Sequence, residues 1–95
     1  MKTLPENVRP YQRTAVFTET TVPAGLLREH STKAGTWGRI QVLEGRLWYR
    51  ILAPEVEEVL LTPERHGVVE PQVPHEVRPE GQVKFFVEFH RAAED

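Results

Sequence analysis

The chain has 95 residues, with 12 Lys and Arg against 14 Asp and Glu, four His and no Cys, for a formal net charge of −2. That length fits a single domain with a small core, and we expect one unit over residues 1–95. The missing Cys excludes disulfides, thiolate nucleophiles and Cys-ligated zinc, and the near-balanced charge argues against nucleic acid, whose phosphates call for a basic face.

No stretch approaches the ~18 apolar residues of a membrane span, so no membrane partner is expected. The N-terminal MKTLPENVRP lacks the apolar core of a signal peptide, and the default expectation is a cytoplasmic protein. In chain order, residues 1–10 read as an extended arm broken by Pro5 and Pro10. Pro and Gly then punctuate the chain at short intervals, leaving no segment long enough for a convincing amphipathic helix. The intervening runs are rich in Val, Ile, Phe, Tyr and Trp. They predict strands near Thr14–Thr18, Leu26–Thr32, Trp37–Leu43, Arg46–Leu52, Val56–Leu61, Val68–Glu70, His75–Arg78 and Val83–His90, with a frayed tail over 91–95. Gly45 in Leu43-Glu44-Gly45-Arg46 suggests a tight hairpin. This is the pattern of an all-β, antiparallel sandwich or jelly roll.

Period-2 alternation places Leu47, Tyr49 and Ile51 on one face of their strand and Arg46, Trp48 and Arg50 on the other. The second face mixes Trp with two Arg and reads as surface or subunit interface. A core this thin makes a homodimer through it the expected assembly.

Several chemistries find no support. There is no Gly-x-Ser-x-Gly elbow, Ser31 is the only serine, and no glycine-rich loop follows a strand to cradle phosphates. No catalytic residue can be assigned. The histidines remain, because imidazole is a common metal ligand and titrates near neutrality. His30 shares a predicted strand face with Leu26, Arg28 and Thr32, while His75 follows Pro71-Gln72-Val73-Pro74, whose two prolines fix the backbone ahead of it. Alone, either His is as readily a hydrogen-bonded structural residue. His66 sits in a polar turn and reads as solvated; His90, near the end, reads as surface. Thr32, Lys33, Trp37, Tyr49 and Gln72 are the other candidate pocket residues. Lys33 precedes a glycine turn that can hold a cation over an anion, Trp37 can form a wall or pack in the core, and Tyr49 carries a hydroxyl into the core face.

Ile40–Leu47 (IQVLEGRL) and Val69–Val77 (VEPQVPHEV) resemble the two motifs of the cupin family. Together with LPENVRPYQRT, VPAGLLREHSTKAGTWGRIQVLEGRLWYRIL and VKFFVEFHR they resemble the small tellurite-resistance cupins of the TehB/YeaR-like type, from Leu4 to Arg91. The resemblance implies a single-domain cupin, a double-stranded β-helix, and a metal ligand at His75. The first cupin motif is incomplete: His30-Ser31-Thr32 stands where His-x-His is usual, and no Glu follows at the usual place. A divalent metal, zinc or iron, is therefore expected on His30 and His75, with a third ligand from Glu70, Gln72 or Glu88. The role expected from the resemblance is a stress or oxyanion response, with a small molecule or oxyanion as partner. The alternatives are a metal-dependent oxygenase or isomerase, or a metal-free ligand-binding or interaction module. Some longer relatives carry a separate methyltransferase domain for tellurite, whose cofactor loop has no counterpart in these residues.

Overall fold

Two long strands organise the computed structural model, which describes residues 1–93. They are β3 (Trp37–Ile51) and β6 (His75–Ala92), paired antiparallel from Trp37 opposite His90 to Ile51 opposite His75. Around them lie β1 (Val8–Arg13), β2 (Phe17–Thr18), β4 (Glu57–Leu61) and β5 (Gly67–Val69), and a short 3-10 helix spans Ala24–Leu27. The sheet order is β1-β6-β3-β4, with β2 also on β6 and β5 also on β3. All pairings are antiparallel, and the chain forms one all-β domain with almost no helix.

The hairpin expected at Leu43–Arg46 is absent; β3 runs straight through it. The register instead shifts between Val42 and Glu44 and again between Gly45 and Arg46. Leu43 is the extra residue of the first shift, and its effect is visible in the side chains. Ile40 and Val42 are buried before it, and Leu47, Tyr49 and Ile51 after it, so one inserted residue switches the buried parity from even to odd. Gly45 takes φ +81°, and a Cβ there would lie 2.1 Å from the Gln82 carbonyl oxygen. The left-handed conformation that suggested a turn serves a bulge, and the long strand's two halves carry different neighbours. Its N-terminal half has β5 beside it and its C-terminal half β4.

Three further expectations are corrected. Leu26–Thr32 is not a strand: Pro23 starts the 3-10 turn and only His30 makes a bridge, to His75. Residues 8–10 are not an arm but the start of β1, where Pro10 is tolerated because β1 is an edge strand. At the other end Arg91 and Ala92 remain in β6; residues 94–95 of the expected tail lie outside the described residues. The core gathers Tyr49, Phe85, Ile40, Leu47 and Leu61 between the sheet halves. Arg46, Trp48 and Arg50 point away from it, with Arg50 between Glu58 at 3.5 Å and Glu76 at 3.3 Å. Among the described residues no helix is long and apolar enough to cross a membrane.

Candidate functional site: an apolar cavity with two histidines in its wall

The cavity exists because the 3-10 turn and the segment after it lie over the inner face of β3 and β6. Its volume is about 260 Å³. Ile40, Val69, Val77, Phe85 and Val87 form its floor, and Leu26 and Phe17 lie at its sides. Gly38 keeps the space open, since a Cβ there would approach the Val69 Cβ to 3.1 Å. Among the described residues only Thr14, Thr32, His30 and His75 bring polar side chains to the wall.

The two histidines come together through their backbones. Each N–H donates to the other's carbonyl at 2.8 Å, and the rings meet edge to face with centroids 5.5 Å apart. His30 is exposed at the rim, whereas His75 is buried. The tautomer of His75 follows from its partner. Nδ1 lies 3.2 Å from the Val73 carbonyl oxygen, which can only accept, so Nδ1 carries the proton. In the neutral ring the free lone pair is therefore on Nε2. Burial holds this imidazole below its usual pKa; the Val73 hydrogen bond opposes that shift and nearby His30 adds to it. His75 is thus neutral at pH 7.

Tyr49 packs against the other side of His75, with ring centroids 5.7 Å apart, and its hydroxyl donates to the Val68 carbonyl at 2.9 Å. Burial raises the phenol pKa far above its usual value, with Glu70 and Glu57 adding to the rise. Tyr49 is a satisfied core tyrosine that supports His75 and does not line the cavity. Of the other expected pocket residues, Thr32 lines the wall. Lys33 is exposed outside it, Trp37 is half-buried away from it, and Gln72 is exposed, its backbone N–H donating to Thr32 at 3.0 Å.

The three candidate third ligands lie elsewhere. Glu70 faces Lys2 at 3.3 Å, Glu88 faces His90 Nε2 at 2.9 Å, and Gln72 stands on the surface. His90, expected on the surface, is buried; Glu88 holds it on the side of β6 facing away from the core. Among the described residues no group of three or more His, Cys, Asp or Glu is placed to hold a metal ion. The expectation of a zinc or iron cofactor on His30 and His75 is therefore overturned. Two imidazoles set in an apolar wall fall short of the donor set such ions require.

The chain is thus an all-β, antiparallel domain with a small, mostly apolar cavity whose wall includes two histidines. The chain is a member of the TehB-like domain family, which matches residues 12–87. It is 38% identical over 71 residues to the probable S-adenosyl-L-methionine-dependent methyltransferase TehB of Haemophilus influenzae. That match takes in 70% of this chain and 25% of the relative, so the chain spans about a quarter of the curated relative's length. The crystal structure of TehB from Haemophilus influenzae superposes with a TM-score of 0.83 and 32% identity over 92% of this chain and 32% of that one. The crystal structure of a protein from E. coli strain K12 superposes with a TM-score of 0.88 over 99% of this chain and 100% of that one, at 24% identity, a likeness of fold. The cofactor these relatives' names carry is S-adenosyl-L-methionine, not a divalent metal.

Proposed function

We propose that this chain is a ligand-binding domain of cupin type, a double-stranded β-helix, that holds a small neutral molecule between its sheet halves. The observation that carries this reading is the cavity of about 260 Å³ with an almost wholly apolar wall. A dry cavity of roughly 150 Å³ accepts benzene, so this one has room for a somewhat larger molecule. An oxyanion is a poor fit inside it. Among the described residues no Lys or Arg lines the wall, burial disfavours the charged form of His75, and a buried unpaired anion is strongly disfavoured. S-adenosyl-L-methionine does not fit either. Its sulfonium, ammonium and carboxylate groups find no counter-charge there, and no glycine-rich loop is present to receive it. We assign that cofactor to the three-quarters of the longer relatives that this chain does not span. The role of this domain is then to hold a molecule that takes part in the same tellurite or stress response, in the cytoplasm and as a homodimer through the Arg46, Trp48 and Arg50 face. Support for that face is its half-buried Trp48 in a groove with exposed Leu27 and half-buried Pro79.

The test is a titration of the labelled protein with toluene, followed by amide and methyl NMR. Saturable shifts confined to residues such as Ile40, Val69 and Val87 are expected, and Leu26→Trp, which fills the cavity from its side, should remove them. Shifts absent or spread over the outer surface would refute the reading.

A further inference from the structure

The hydrogen-bond partners of the wall go further than its apolarity. The Thr32 hydroxyl donates to the Thr36 carbonyl at 2.7 Å, the Thr14 hydroxyl to the Ala15 carbonyl at 2.8 Å, and His75 Nδ1 to the Val73 carbonyl at 3.2 Å. Thr14 also accepts the Val87 N–H at 3.1 Å. Each buried or half-buried side-chain donor of the wall is therefore engaged by the protein's own backbone. The lone pairs these wall residues leave unengaged are those of His75 Nε2 and of the Thr32 and Thr14 hydroxyl oxygens. His30 alone keeps a ring nitrogen free to donate, and it sits exposed at the rim, where water serves it.

We propose that the cavity selects neutral hydrogen-bond donors: molecules with an apolar body and one hydroxyl, thiol or N–H group, which His75 Nε2 accepts. This inference rests on the binding role proposed above and names its ligand class. A wall of acceptors inside a low-dielectric cavity discriminates in both directions. A donor gains a hydrogen bond, while a carbonyl, ether or anion brings its lone pairs against those of the protein. The same arrangement keeps charged donors out, because among the described residues a buried ammonium finds no carboxylate in the wall.

The experiment compares three probes of similar size, phenol, toluene and anisole, by calorimetry and NMR on the full chain. Phenol is expected to bind about 3- to 10-fold more tightly than toluene, the range a single net hydrogen bond supplies, and anisole no better than toluene. In long-range ¹H–¹⁵N spectra of the imidazoles, His75 should show a protonated Nδ1 and a bare Nε2, and the Nε2 resonance should move with phenol but not with toluene. His75→Phe should keep toluene binding and erase the phenol preference. Should that variant not fold, the ¹⁵N readout on the unmodified protein decides alone. Equal binding of all three probes, a preference for anisole, or an Nε2-protonated His75 would overturn the donor selectivity while leaving the cavity's binding role intact. Failure of all three to bind would overturn the binding role itself, and the selectivity with it.

Discussion

Gly45→Ala tests the bulge that gives β3 its two halves. At φ +81° an L-residue is strained by roughly 1–2 kcal/mol. The added Cβ would also sit 2.1 Å from the Gln82 carbonyl oxygen and 3.1 Å from the Val83 Cα, so backbone, not a flexible side chain, must move. Overpacking of that kind costs about 1–3 kcal/mol more. The sum, about 2–5 kcal/mol, is a large part of the ~5–15 kcal/mol that holds a domain folded. Gly81 supplies the control. Its φ is +70°, but nothing lies within 4 Å of its Cβ position, so Gly81→Ala should lose only the conformational part. At about 4–8 °C per kcal/mol for a domain of this size, urea and thermal unfolding resolve the two variants readily. If Gly45→Ala proved no worse than Gly81→Ala, the close strand approach at the bulge would be wrong. If it were neutral, the shift in register would be wrong as well.

Tyr49→Phe should cost about 1 kcal/mol, the hydrogen bond to Val68, measured by urea unfolding at pH 7. Because folding raises the Tyr49 pKa, its contribution is present below the unfolded value near 10 and lost as pH climbs past it; the Tyr49→Phe variant should lack that alkaline decline. His75 works in the opposite sense. Its folded pKa is lowered, so the stability linked to it is complete above about pH 6.5 and falls away as pH drops below, an acid limb that His75→Phe should flatten. Sedimentation velocity should find a dimer for the unmodified chain and a monomer for Trp48→Glu, and a monomeric unmodified chain at high concentration would remove the interface.

The parity of Leu47, Tyr49 and Ile51 was legible because alternation in a half-buried strand is a local property. The path of β3 was not: a left-handed glycine serves a hairpin and a bulge equally, and only the pairing partner decides between them. Leu26–Thr32 failed for a related reason. Its apolar pair suited a strand, but Pro23 ahead of Ala24-Gly25 favours a helical turn, and His30 reaches the cavity rim from irregular backbone. The pairing of His30 with His75 came from the family resemblance, which places the two segments together across 45 residues of chain. Glu70 and Gln72 share a sequence motif with His75, but Glu70 and Glu88 join the two histidines in no metal-holding group among the described residues, and Gln72 is exposed. His90 was misjudged because alternation puts it on the outward side of β6, and nothing local shows that its surroundings and Glu88 bury it there.

A crystal of the protein pressurised with xenon tests the central claim most directly, since xenon enters dry apolar cavities and little else. We predict one strong anomalous peak inside the wall formed by Ile40, Val69, Phe85 and Val87, with no ion between His30 and His75. A cavity filled by ordered water, or a metal held by the two imidazoles, would contradict the account.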